Sequence, residues 1–137
     1  LGAQDVGAIV AITRCARDGD CAFPPDAMLA MFQAALDAGG RRAEVMNIEA
    51  DYALNVLHQP DTALYLWRRA IELAPGEPQY RINLTKALIA LGRQADARKQ
   101  IDALRRMNLP GTNEAAARAL EARMQRARPR PAREQAD

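Results

Sequence analysis

Apolar positions along the chain recur at intervals of three and four, the spacing that gathers side chains on one face of a helix. Seven such stretches follow one another. Over residues 3–17 the face is Val6, Ile9, Val10 and Thr13, and Asp18-Gly19-Asp20 makes a turn. Pro24-Pro25-Asp26 opens a second stretch with Met28, Met31, Phe32 and Ala35 in step, stopped by Gly39-Gly40. Proline suits a first helical turn, where its missing donor would be unpaired anyway, and an acidic residue there suits the positive end of the dipole. The third stretch, residues 42–57, has two apolar stripes: Val45, Ile48, Tyr52 and Val56 on one, Ala50, Leu54 and Leu57 beside it. A helix apolar over so wide an arc is expected to be covered on two sides.

Gln59-Pro60-Asp61 breaks the chain before a fourth stretch with Ala63, Leu64, Trp67, Ala70 and Ile71 in phase. After the turn Pro75-Gly76-Glu77-Pro78, a fifth helix is expected over residues 79–91, ended by Gly92, and a sixth over 95–107 with Ala97, Ile101, Leu104 and Met107 inward. Asn108-Leu109-Pro110-Gly111 forms the next break. Thr112 or Asn113 is expected to cap a seventh helix, in which Ala116, Leu120 and Met124 repeat at fours. Its other faces are polar, as in a terminal helix that meets water. Residues 128–137, with two prolines and no apolar anchor, read as a disordered tail.

The third-to-sixth stretches contain a repeat. At an offset of 34 residues Ala53 falls on Ala87, Leu54 on Leu88, Leu57 on Leu91, Ala63 on Ala97 and Trp67 on Ile101. A period of this length, each copy holding two helical stretches and a short break, signals stacked helical hairpins. The expected fold is all-α: a stack of antiparallel hairpins, about seven helices, in one domain over residues 1–127. Its parts are an N-terminal hairpin at 1–40, repeats at 44–77 and 78–111, and a capping helix at 112–127.

Residues 44–111 resemble tetratricopeptide repeats. Ala63, Trp67, Ala70 and Pro75 stand at that family's Ala, Phe, Ala and Pro positions, and Leu84, Gly92, Ala97 and Ile101 match in the second copy. Asn47 and Arg81 replace its Trp, Asp51 and Thr85 its close-packing Gly, and Leu109 its closing Pro. The resemblance implies a right-handed superhelix whose concave side is lined by the first helix of each repeat. Carried over by position, that side includes Val45, Ile48, Tyr52, Asn55, Val56, Gln79, Ile82, Lys86 and Ile89. The set is too apolar for an open groove, so either a partner segment fills it or the first two helices fold across it; residues 3–38, which must bury their own faces, favour the second. Ile48 and Tyr52 stand at two positions of the family's clamp for C-terminal carboxylates, which argues against a clamp. A fainter resemblance, carried by the paired-cysteine hairpin and Tyr80–Arg98 (YRINLTKALIALGRQADAR), is to soluble periplasmic tails of bacterial membrane glycosyltransferases and O-antigen-ligase-like proteins.

Composition agrees with helices: 49% of residues are hydrophobic, only 4% aromatic, and the apolar mass is mostly Ala and Leu. The net charge of +2 hides an asymmetry. Residues 1–92 carry eight basic and eleven acidic side chains, residues 93–133 eleven basic and four acidic. Such a basic third could dock an acidic polymer, or be a solvated helix face. Arg98, Arg105 and Arg106 are the expected basic flank of any partner surface, beside groove contacts Tyr52, Asn55, Gln79, Asn83 and Lys86. No run approaches the roughly twenty apolar residues of a membrane helix; the chain begins with Leu and is expected to belong to a longer or processed protein, whose membrane segments would lie outside it.

Candidate chemistry is sparse. The chain has no Ser, which excludes serine nucleophiles. Two cysteines and one distant histidine, His58, do not make a tetrahedral zinc site. Cys15 and Cys21 lack the C-x-x-C spacing of a redox pair and are read as a structural disulfide of an oxidising compartment, with two free thiols the alternative. Glu49 and Asp51 are two residues apart, pointing to different faces of a helix, unsuited to paired acid/base work. The Arg-rich end lacks interleaved aromatics, so specific nucleic-acid recognition is not expected. The expectation is therefore a non-catalytic protein-interaction or scaffold module, without cofactor or metal, of a bacterial envelope protein on the periplasmic side, with a cytoplasmic location the alternative. Its partner would be a protein, a peptide or a glycan-bearing acceptor. The alternative functions are an accessory tail of a membrane glycosyltransferase or oligosaccharide ligase, and electrostatic docking through residues 93–133.

Overall fold

The computed structural model describes residues 6–19, 23–107 and 112–127. All seven elements among them are α-helices: α1 Val6–Asp18, α2 Pro25–Ala38, α3 Arg42–Asn55, α4 Pro60–Leu73, α5 Pro78–Ala90, α6 Gln94–Arg106 and α7 Thr112–Arg126. The all-α class and helix count expected from the periodicity are what the structure has. The expectations for Asp20, Cys21, the break at 108–111 and the tail at 128–137 lie outside the described residues.

Helix starts follow from composition. With no serine available, α2, α4 and α5 begin at Pro25, Pro60 and Pro78, and α2, α3, α4 and α6 carry no side-chain cap bond at their N-caps. Proline's fixed φ is preorganised for the first turn, so entry is set by backbone restriction rather than by a capping oxygen. α3 stops at Asn55, two residues before the expected end. His58 takes a positive φ of 54°, and Gln59 N–H returns to the Ala53 carbonyl at 2.8 Å. Pro60 disfavours helical backbone at Gln59, so the chain must leave before it.

The chain divides into two compact units, Leu1–Tyr80 and Arg81–Asp137, where the sequence suggested one domain over 1–127. In the first unit α3 is central. Its Val45, Ile48 and Tyr52 stripe packs with Val6 and Ile9 of α1 and with Met28, Phe32 and Ala35 of α2. Met46, Ala50 and Ala53, four and three residues apart, are also buried and leave the opposite stripe for α4, with which α3 forms a helical hairpin. Trp67 of α4 is 3% exposed and donates its indole N–H to Asn47 Oδ1 of α3 at 2.9 Å. Buried Thr13 donates its hydroxyl to the Ile9 carbonyl at 2.7 Å, so no polar atom is stranded there.

Among the described residues of the second unit the buried ones are Leu84, Thr85, Ala87, Leu88 and Ile89 of α5, Ala97, Ile101 and Leu104 of α6, and Asn113, Ala117, Leu120 and Met124 of α7. Thr85, at a position where the resembled family has Gly, is accommodated because its hydroxyl donates to the Arg81 carbonyl at 2.6 Å. α5 ends in a Schellman motif: Arg93 N–H bonds Leu88 O at 2.8 Å and Gly92 N–H bonds Ile89 O at 3.0 Å. Gly92 has φ +76°, and a Cβ there would meet no atom within 4 Å, so the requirement for glycine is purely conformational. Asn113 does not cap α7. It is buried and donates its amide to the Leu104 and Met107 carbonyls, at 3.3 and 3.5 Å, satisfying the exposed end of α6 instead. The side chain of Thr112 lies outside the described residues.

Candidate partner-binding site

The residues expected to line a groove divide between the two units. In the first, Tyr52 is 1% exposed and belongs to the core. Its ring lies 5.7 Å from that of Phe32, tilted by 53°. As a surface contact it is therefore corrected: α1 and α2 already cover the stripe of α3 that would have faced a partner. Of the two occupants open to that stripe, the chain's own first two helices are the one present. Asn55 is exposed at the end of α3, but its amide donates to the Asp51 carbonyl and carboxylate, at 3.1 and 2.9 Å. Asp51 in turn accepts from Arg17 of α1 at 3.4 Å. Glu49 is pushed above the usual carboxylate range by burial alone, with no carboxylate among the causes of that shift. Gln79 is exposed at the start of α5, and its N–H bonds Glu77 Oε1 at 3.2 Å.

In the second unit, the outer side of α6 and α7 is an ion-pair lattice. Arg105 holds Glu114 at 3.1 Å and also pairs with Glu121; Arg98 holds Glu121 at 2.9 Å; Arg118 holds Glu114 at 3.1 Å. Both carboxyls are held below the usual range, chiefly by hydrogen bonds from Arg105 and also from Arg98 and Arg118. A folded pKa below the unfolded one means these pairs favour the fold above the ordinary carboxylate range and cease to as pH falls through the lowered values. Arg98 and Arg105, expected as part of a basic flank, are ion-paired within the unit. Arg106 donates to the Asp102 carbonyl at 3.2 Å from an exposed position.

The other side of α7 is different. One stripe of α5, Ile82 and Lys86, and one stripe of α7, Ala116, Ala119, Leu120, Arg123 and Arg126, line an open concavity of about 290 Å³. Its floor is aliphatic and its rim carries three cations. Lys86, Arg123 and Arg126 are exposed and enter no ion pair among the described residues. Both carboxylates of α7 lie in the lattice with α6, so neither faces the concavity. Pockets that enclose drug-sized ligands begin near 300 Å³; this one has room for a side chain or two, not for a large cofactor. No group of three or more metal-ligating side chains occurs among the described residues.

No family model, curated protein or solved structure matches this chain. The case for its function therefore rests on its own residues. Of the expected contacts, Lys86 lies in the concavity, while Asn83, in the next turn of α5, is half-buried. Arg123 and Arg126 fall within residues 93–133, the stretch expected to dock an acidic polymer, but were not singled out as contacts, because α7 reads as a terminal cap. The signal was available: carrying the 34-residue period one step further puts Ala116 and Leu120 in register with Ile82 and Lys86. Ile82 and Lys86 are in turn in register with Ile48 and Tyr52. The same helix face recurs three times; in the first copy it is covered by α1 and α2, and between the second and third it is open.

Proposed function

We propose that the chain is a non-catalytic protein-interaction module, docking its partner through the concavity between α5 and α7. The observation that carries this is the recessed aliphatic floor rimmed by three uncompensated cations. A purely structural helix pair has no use for a one-sided charge excess beside exposed apolar surface. We place the module on the periplasmic side of an envelope protein, with Cys15 and Cys21 bridged. Cys15 sits near the end of α1, and a bridge to Cys21 would tie α1 to the segment leading into α2. A photo-crosslinking amino acid placed at Ile82 or Ala119 in the producing cell is expected to give one discrete adduct, and none when placed at Arg68 on the exposed side of α4. Equal adducts from all three positions would remove the reading. Unfolded without reductant, the same protein is expected to show no free thiol; two would remove the bridge and the compartment.

A further inference from the structure

The same concavity carries the chemistry of its occupant, an inference that rests on the docking surface just proposed. Lys86 approaches from α5, and Arg123 and Arg126 from successive turns of α7, around a floor made by Ile82, Ala116 and Leu120. Three neighbouring arginines do not share this condition. Arg98, Arg105 and Arg118 are each answered by Glu114 or Glu121. α7 thus sorts its charges: its acids turn to α6, and two of its bases turn to the concavity. The unmatched positive rim requires an anionic occupant.

Three features select among anions. The floor carries no aromatic side chain, so nothing there can stack a nucleic-acid base. A bare phosphate on that floor would lose hydration against aliphatic carbon that offers it no donor. A membrane surface meets protruding apolar groups, whereas here the apolar surface is recessed below the charges. An acidic peptide carrying one large aliphatic or aromatic side chain satisfies both parts: the side chain enters the recess of about 290 Å³, and flanking Asp or Glu residues reach the rim. We infer that the α5–α7 concavity binds an acidic peptide segment with a single apolar anchor, with Lys86, Arg123 and Arg126 reading the carboxylates and Ile82, Ala116 and Leu120 receiving the anchor.

The test is selection of a random twelve-residue phage-displayed peptide library on the full chain, followed by affinity measurement with the synthetic consensus peptide. The enriched sequences are expected to combine an excess of Asp and Glu with one Leu, Ile, Met or Phe. Charge reversal by Lys86→Glu with Arg123→Glu is expected to weaken the consensus peptide by about tenfold or more. Ala116→Phe, which fills the recess with every charge intact, is expected to weaken it by a similar factor. Arg68→Glu is expected to change nothing. Circular dichroism checks that each variant keeps its helices. Enriched peptides without acidic excess, or a consensus peptide indifferent to both the charge reversal and Ala116→Phe, would overturn the inference while leaving a docking module in place. A library that yields no enriched sequence counts against the module itself. A twenty-nucleotide single strand, or phosphatidylserine vesicles, bound through Lys86 and Arg123 more tightly than the consensus peptide would replace the peptide with that partner.

Discussion

Replacing Phe32 with alanine is expected to destabilise the chain by about 3–5 kcal/mol, read as a lower urea midpoint at unchanged slope. Phe32 is 0% exposed and lies in one cluster with Val6 and Ile9 of α1 and Val45, Ile48 and Tyr52 of α3. Truncation removes the ring from a contact of three helices at once, and close-packed neighbours collapse only partly into the space. The companion change, Tyr52→Phe, is expected to be neutral or slightly stabilising. The Tyr52 hydroxyl is buried with no hydrogen-bond partner among the described residues, and burial alone pushes its pKa up. Removing an unpaired buried polar atom while keeping the ring sacrifices no bond. The pair of results discriminates. A Phe32→Ala cost below about 1 kcal/mol, the size of an ordinary surface change, would mean that α2 does not cover this face of α3. The stripe would then be free for a partner, and Tyr52 would return as a contact residue.

That face marks the limit of what the sequence could tell. Two apolar stripes on residues 42–57 show that the helix is covered twice, and the hairpin with the following helix accounts for one cover. The other could be this chain's own N-terminal helices or a foreign segment, because periodicity specifies a need for burial and not the surface that meets it. Helix number, class and breaks were legible since Pro25, Pro60, Pro78 and Gly92 punctuate the chain locally. The pairing of charges was not. Glu114 and Arg118 are visible as an i, i+4 pair, but Arg105 reaches Glu114 across nine residues and Arg98 reaches Glu121 across 23. Counting bases over 93–133 therefore overstates the charge that is free to act. Among the described residues Arg123 and Arg126 stand outside that lattice, and their place beside Lys86 became visible only when α7 took its place in the register of the repeat.

Trp67→Ala is expected to cost about 3–5 kcal/mol, and Trp67→Phe about 1 kcal/mol, because it keeps a ring in the hairpin but loses the indole donor. The bond to Asn47 isolates the second effect. In a double-mutant cycle by urea unfolding, Trp67→Phe and Asn47→Ala are expected to couple by about 1 kcal/mol, since each alone breaks the same 2.9 Å bond. A coupling near zero would mean the bond contributes nothing beyond packing. A Trp67→Ala cost under about 1 kcal/mol would place Trp67 outside the core and undo the pairing of α3 with α4. The arrangement also explains an apparent defect of the repeat. The resembled family has a large ring at the position of Asn47 and another at that of Trp67. Here the first is given up, and the remaining ring, Trp rather than Phe, carries an N–H that a short amide can accept. In the second copy Arg81 stands where Asn47 does and donates to Gln100 Oε1 of α6 at 3.0 Å, while Ile101 supplies the bulk. Both hairpins thus combine one apolar side chain on the second helix with one polar bond across the pair. This pairing keeps the hairpin closed on this side, which leaves the opposite side of α3 and α5 to be covered in one case and to stay open in the other.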